Sequence, residues 1–400
     1  MKHWFIYFAI IFLFWKTEAQ SSDQWYKGNT HTHSYWSDGN TFPEMIMEWY
    51  KSNGYDFISL SDHNILAENG KWKKIPNNPG AQKNFKEYLE KYGEDWVNYK
   101  KDSAGNILVK LKTFAEYKPL FEENGEFLIL PAEEISDKYK DKPIHIGAVN
   151  IEKVIAPQGG QSVLEVMQNN LDAVYDQREK SGTLMFAHIN HPNFKSAITV
   201  DDMLKLKGDR FFEVFNGHPA VNNYGGKSMV STDELWDLLL INCIKNGKPL
   251  IYGIATDDSH DYFKKGHAYS NPGRGWIMVK SEKLTAGSLI QSMENGNFYA
   301  TTGVELSKLR FIDNQMIIKI KAEKNVEYKV QFWGAKISDF RNGGQRILLK
   351  EINGDYATYS LEENDLYVRA KIISTKIKEN PYKVGDFETA WVQPVVQNKD

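Results

Sequence analysis

From Asn29 to about Lys280 the chain alternates two kinds of apolar stretch. Short runs, among them YDFISLSDHN, EFLILPAEEIS, PIHIGAVN, GTLMFAHINHP, RFFEVFNG and PLIYGIATDDSH, have the length and β-branched or aromatic content of strands. Longer segments, PEMIMEWYKSNG, AEYKPLFEENG, VLEVMQNNLDAVYDQREKSG, DELWDLLLINCIKNG and AGSLIQSMENG, space their apolar residues helically, and most close on a glycine suited to a left-handed helix end. Strand, helix, glycine, strand, repeated, predicts crossover connections and a mostly parallel sheet. Seven or eight such units favour a closed barrel over an open sheet.

The rhythm breaks twice. Residues 65–112 are rich in Lys, Asn and Tyr. They follow a chemically loaded strand end, so they form either a lid over a substrate side or a surface excursion without a role. After FYATTGVEL the helical signal stops, and residues 306–400 read as short alternating strands separated by turns such as Asn353-Gly354-Asp355. These predict a small all-β sandwich appended to the barrel.

Composition narrows the class. In 400 residues, 49 Lys and Arg face 52 Asp and Glu, with no basic run long enough to track a phosphate backbone, so a nucleic-acid partner is not expected. Residues 1–19 place Lys2 before an apolar run, Trp4 to Trp15, and end near Ala19, the layout of a cleaved signal peptide. The run is too short to span a bilayer, so an exported protein, periplasmic or extracellular, without a membrane span is expected. The single cysteine, Cys243, lies in an apolar helical run and reads as a small buried hydrophobe. Nothing in the sequence sets an oligomeric state.

The chemistry is concentrated at the strand ends. His31 and His33 alternate on one strand face, as do Asp258 and His260. Asp38, Asp62, His63, Glu133, Glu134, His145, His188 and His191 join them at other strand ends or adjacent turns. Single strand histidines such as His218 or His267 are more often packing residues, but packing gives no reason for His, Asp and Glu to recur at one edge of an apolar sheet. Imidazole and carboxylate together are the ligand set of Zn²⁺, Mn²⁺ or Fe, and so many donors suit two or three ions. A G-x-S-x-G elbow and a phosphate-binding glycine loop ending in Lys-Ser/Thr are both missing, which leaves metal-assisted hydrolysis.

HTHSYWSDG, GYDFISLSDHN, LPAEEIS, INHP and ATDDSH, in this order, resemble the motifs of the PHP (polymerase and histidinol phosphatase) superfamily of metal-dependent hydrolases. GRGWIMVKSEKLTAGSLIQSMENGNFYATTGVEL is similar to the branch containing carbaryl hydrolase-like enzymes. The resemblance covers residues 27–305. It implies a distorted (β/α)7 barrel over residues 20–305, while the all-β domain over 306–400 rests on the strand pattern alone. It also implies that His31, His33 and Asp258 hold one metal, that Glu134 bridges to a second held by His145 and His191, and that Asp38, His63 and His260 hold a third where present. AHINHP offers two histidines where the pattern needs one, and the His-Pro pair favours His191, leaving His188 to orient a ligand or contact substrate. Ala132 stands where a glycine is common.

Asp62 and Asp257 are either turn residues or groups that orient ligands and backbone. Arg274, in GRGW, is either a bidentate partner for a phosphoryl oxygen or an ordinary ion-pair residue. Asn216 and His218 end a further strand. The expected catalyst is a water on the metals, its pKa lowered towards neutrality. The expected substrate is a phosphate monoester or diester, small or glycan-linked, with a carboxylic ester, carbamate or amide as the alternative. A metal-stabilised carbohydrate- or protein-binding protein is the non-enzymatic alternative.

Overall fold

The computed structural model describes residues 24–227, 229–342 and 344–397. The expected signal peptide lies outside them. Among the described residues no helix is long and apolar enough to cross a membrane.

The first part of the chain runs β1 (Gln24–Asn29), α1 (Pro43–Ser52) and β2 (Phe57–Leu60). An excursion follows, with β3 (Trp72–Lys74), α2 (Pro79–Tyr92), β4 (Tyr99–Lys101), β5 (Ile107–Lys110) and α3 (Phe114–Phe121). Next come β6 (Leu128–Tyr139), β7 (Lys142–Val149), α4 (Val163–Ser181), β8 (Phe186–Ile189), α5 (Val200–Lys205), β9 (Phe211–Asn216), α6 (Thr232–Lys245) and β10 (Tyr252–Thr256). β11 (Trp276–Ser281), α7 (Ala286–Glu294) and β12 (Phe298–Thr301) lead into β13 (Leu306–Ile312), β14 (Gln315–Ile320), β15 (Tyr328–Lys336), β16 (Ile347–Asn353), β17 (Tyr356–Ser360), β18 (Asp365–Ile377) and β19 (Phe387–Val395).

Local chemistry accounts for the helix limits. Pro43 occupies the first turn of α1, Ser162 accepts from the Glu165 amide to cap α4, and Gly182 closes that helix at φ 73°. Ser231 and Glu234 form a reciprocal cap on α6.

Thirteen strands make one sheet, ordered β10-β9-β8-β7-β6-β2-β1-β11-β12-β19-β18-β15-β16. The pairs β1/β2, β2/β6, β8/β9 and β9/β10 are parallel, and the remainder are antiparallel. The sheet is therefore mixed, which corrects the expectation of a mostly parallel one. Only Lys140 and Asp141 separate β6 from β7, and Lys140 takes φ 57°. Two residues close a hairpin but cannot carry a crossover helix. At the far ends of the run β10 to β1, Thr32 bridges Ser259 in parallel, the His33 amide donates to Ser259 O at 2.9 Å, and the Asp258 amide donates to His31 O at 2.9 Å. HTH and DDSH, remote in sequence, are thus backbone neighbours.

Beyond β12, a second sheet, β13-β14-β17, packs on β15, β18 and β19, with Met316, Ile318, Ala357 and Tyr359 meeting Val330, Phe332, Ala370 and Ile372. β14 and β13 are a hairpin turned by Asp313 and Asn314, both at positive φ. The C-terminal strands also grip α6, where Asp237 accepts from Arg369 Nη2 at 2.6 Å and from the Tyr367 hydroxyl at 2.8 Å. The excursion is packed and not loose: Ile75, Phe85, Tyr88 and Val109 share a core with Tyr35, Trp36 and Phe42. Buried Glu44 accepts from Tyr88 and Trp96 at 2.7 and 2.8 Å.

Candidate metal centre

Glu134 is the hub of the site. Strand alternation on β6 turns it inward, while Glu133 points to the opposite face and accepts from the Ile155 amide at 2.6 Å. Glu134 Oε1 lies 3.2 Å from His31 Nε2, 3.1 Å from His145 Nδ1 and 3.2 Å from His191 Nε2. Its Oε2 lies 2.7 Å from His63 Nδ1 and 3.9 Å from His33 Nε2. Asp258 Oδ1 approaches Nε2 of both His31 and His33 at 3.3 Å. Asp38, with its side chain 58% exposed, reaches His260 at 3.3 Å and His63 at 3.4 Å. Four donor sets result: His33, Asp38, His63 and His260; His31, His33 and Glu134; His31, His191 and Asp258; and His63, Glu134 and His145. The structure thus brings together all nine residues singled out as metal donors.

The donors fit divalent cations in chemistry as well as number. Nε2 of His31 and Nε2 of His33 face each other at 3.1 Å, and the buried Asp258 Oδ1 beside them has no hydrogen-bond donor. Imidazole nitrogens and carboxylate oxygens crowded into a dry interior need a proton or a metal cation among them. Burial alone would lower the His31 imidazole, yet Asp258, Glu213 and Glu134 together raise it well above its ordinary range. Burial would raise Glu134, but His145, His31 and His191 hold it well below the usual carboxylate range. Desolvation, with His260 and His63 nearby, pushes His33 down to about 4. Two donors sit on strained backbone, His191 at φ 25° and Asp258 at φ 47°.

Residues around the centre fix its geometry. Asp62 accepts from the Ser34 and Ser37 amides at 2.8 and 3.0 Å and from both hydroxyls, which holds the turn carrying Asp38. Asp257 accepts from the amides of Gly273, Arg274 and Gly275 and from the Tyr50 hydroxyl. Both therefore orient backbone. Asn216 donates to Asp258 Oδ2 at 3.1 Å, and the His218 ring lies 5.4 Å from that of His260.

Two of the sequence candidates stand apart from the donor sets. The His188 ring is fully buried, packs over Gly147, and makes no hydrogen bond of good geometry among the described residues; burial pushes it down to about 4. The buried Arg274 guanidinium donates to the carbonyls of Gly217 and Gly266 at 2.8 Å and of Asn380 at 3.3 Å. Its donors are spent on loop carbonyls and the Asn380 side chain, not on the histidine cluster.

Two residues escaped the sequence reading. Glu213 accepts from the His191 amide, the Thr256 hydroxyl and the Asn216 amide group, and faces His31 Nδ1. Asn190 donates to Glu134 Oε1 at 2.7 Å. The signal for Glu213 was a lone carboxylate inside the apolar run FFEVF.

No family model matches the chain, and no curated protein does. Among solved structures it is similar to a two-domain protein from Bacteroides vulgatus containing a predicted PHP-like metal-dependent phosphoesterase. The identity is 11% and the TM-score 0.38, over 93% of this chain and 96% of that one. It is also similar to a proposed metal-dependent phosphoesterase from Bifidobacterium adolescentis, at 11% identity and TM-score 0.29, over 59% of this chain and 88% of that one.

Proposed function

We propose that this chain is a metal-dependent phosphoesterase of the PHP type, hydrolysing phosphate monoesters or diesters. The observation that carries this reading is the convergence of six histidines and three carboxylates, from strand ends and turns spread along the chain, around Glu134. A structural site needs about four closed ligands; nine donors with an exposed edge at Asp38 suit a working centre. In this reading the strands β10 to β1 form a distorted (β/α)7 barrel closed at the Thr32–Ser259 bridge, residues 306–400 are a β-domain appended to it through β12 and β19, and residues 1–19 direct export.

His31, His33 and Asp258 would hold one ion, Glu134, His145 and His191 a second, and Asp38, His63 and His260 a third. Bound Zn²⁺, Mn²⁺ or Fe would supply Lewis acidity towards the ester oxygens and an activated water. Glu213 fixes the proton of His31 on Nδ1, so that Nε2 turns its lone pair to the centre. The buried floor of His31, Glu134 and His191 keeps bulk water from one side, and the exposed Asp38 leaves the other open to an ester. Arg274 acts by tying the loops of Gly217 and Gly266 together, and His188 by filling space beneath His31.

The test is metal content per chain alongside hydrolysis of a phosphomonoester, a phosphodiester and a carboxylic ester. Two or three ions, with one phosphoesterase activity that both His33→Ala and Asp258→Ala abolish, are expected. Failure to retain metal after reconstitution with Zn²⁺, Mn²⁺ or Fe²⁺ overturns the proposal.

A further inference from the structure

A cavity of about 330 Å³ lies where the connection from β18 to β19 meets β1 and the start of β11. That volume falls within the range of small-molecule sites. Trp49, Tyr55 and Trp276 give its wall aromatic surface, and Lys27 and Lys378 line it as well. The Lys378 ammonium lies 4.7 Å from the Trp276 ring centre and, among the described residues, makes neither a hydrogen bond nor an ion pair. Lys27 lies 4.5 Å from the same ring centre and 3.9 Å from that of Tyr55, with the Asn53 carbonyl as its acceptor at 3.1 Å. Glu388 and Asp257, the carboxylates that act most on Lys378, are engaged elsewhere. Glu388 pairs with Lys376 at 3.5 Å, and Asp257 accepts from the amides of residues 273–275. A partly buried ammonium without a counter-ion is costly, and aromatic faces offset only part of that cost. Burial accordingly pushes Lys378 down to about 8, against the pull of Glu388 and Asp257. Trp276 adds a buried indole N–H that has no acceptor.

We propose that this cavity binds a planar organic monocarboxylate, with its carboxylate on Lys378 and Lys27 and its apolar body against Trp49. The site is separate from the histidine cluster, none of whose donors lines it, and it stands independently of the function proposed above. Charge sets the class of anion. Four lysines and three carboxylates line the cavity, so one positive charge is left over, which suits a monoanion better than a phosphate dianion. Shape sets the rest. The Trp49 indole packs over Gly273, where a Cβ would come within 3.1 Å of it, so ring and bare backbone together make a flat wall for a planar group. The ligand's charge thus completes the two ammonium groups, and its body covers apolar surface that the protein leaves open.

The test is calorimetric titration of the full chain, as purified and again after metal loading, with sodium benzoate, benzamide and inorganic phosphate. Saturable binding of benzoate is expected in both preparations, at least tenfold tighter than that of benzamide, its uncharged counterpart of similar shape, and tighter than that of phosphate. Lys378→Met and Lys27→Met should each weaken benzoate at least tenfold while leaving metal content unchanged, since neither residue belongs to a donor set. If one variant does not fold, the other alone decides. No saturable benzoate binding, or binding no tighter than that of benzamide, overturns the site. Phosphate binding more tightly than benzoate, with the same loss in the lysine variants, overturns the monocarboxylate class. Benzoate binding that is undiminished by the lysine substitutions places the carboxylate elsewhere, on the metal ions if it appears only after loading, and overturns the site.

Discussion

Glu213 Oε1 lies 2.6 Å from Nδ1 of His31, on the side of the ring away from Glu134 and Asp258. A carboxylate behind a ligating imidazole sets both the tautomer and the ring angle, and its loss typically lowers metal affinity ten- to a hundredfold. Glu213→Gln is therefore expected to weaken metal retention by about that factor, measured by competition against a chelator of known affinity. Unchanged affinity would show that His31 is oriented by its other neighbours.

Gly147 on β7 lies directly under the imidazole of His188, where a Cβ would overlap the ring. Gly147→Ala should destabilise the fold by about 1–3 kcal/mol in urea titration, the usual range for forcing atoms into a packed core. Removing the ring in the same chain, His188→Ala, should recover most of the loss. His188→Ala alone should leave metal stoichiometry unchanged, because the ring belongs to none of the donor sets.

Arg369, buried beneath α6, forms an ion pair with Asp237 at 2.6 Å and another with Asp233 at 3.0 Å. Arg369→Met leaves those carboxylates without their most buried partner, and a loss of ~3–5 kcal/mol is expected by urea titration. Tyr367→Phe, which removes only one donor to Asp237, should cost about 1 kcal/mol by the same measurement.

Lys27 and Lys378 both place their ammonium groups against Trp276, 4.5 and 4.7 Å from its ring centre. Burial pushes Lys378 down from 10.5 to about 8; Glu388 and Asp257 oppose this, and Lys27 and Lys376 add to it. Between those pH values the unfolded chain holds the proton and the folded chain has released it, so this group makes the fold more stable as pH rises from 8 to 10.5. Lys378→Met should remove that slope and raise stability at pH 7 by at most ~3 kcal/mol, less as far as solvent screens the site. Urea titrations at pH 7.5 and 10 on both proteins check it. An equal difference at the two pH values would mean that the substitution acts through packing and not through the charge.

Legibility in the sequence followed the reach of each signal. Period-two alternation is local, so it set His31 beside His33 before any contact was known, while the preference for Glu134 over Glu133 came from the resemblance. Glycines at the ends of α4 and α6 marked helix limits for the same reason. The β6–β7 hairpin was missed because its turn, Lys140-Asp141, lacks the Asn-Gly or Asp-Gly signature, and pairing direction is decided between strands. The turn from β13 to β14, at Asp313 and Asn314, likewise has no glycine to mark it and lies inside a segment that reads as one alternating run. Glu213 and Asn190 gain their roles only from residues far away in sequence, and neither residue type is diagnostic alone. The placement of Arg274 depended on which carbonyls the fold would bring to it.

The long sheet has a consequence for the order in which the molecule can assemble. β1, the first strand described, pairs with β11 from Gln24↔Ser281 to Gly28↔Ile277, and β12 pairs with β19 from Tyr299↔Val392 to Thr301↔Ala390. During synthesis at about 5–20 residues per second, β1 must wait for most of the chain to leave the ribosome before that neighbour exists. Contacts of such sequence separation are slow to form and leave apolar strands uncovered in the interval. The nascent chain is thus committed to a late, nearly whole-molecule closure, and a holdase that shields it until β19 emerges should raise the folded yield more than one that acts on its N-terminal half alone.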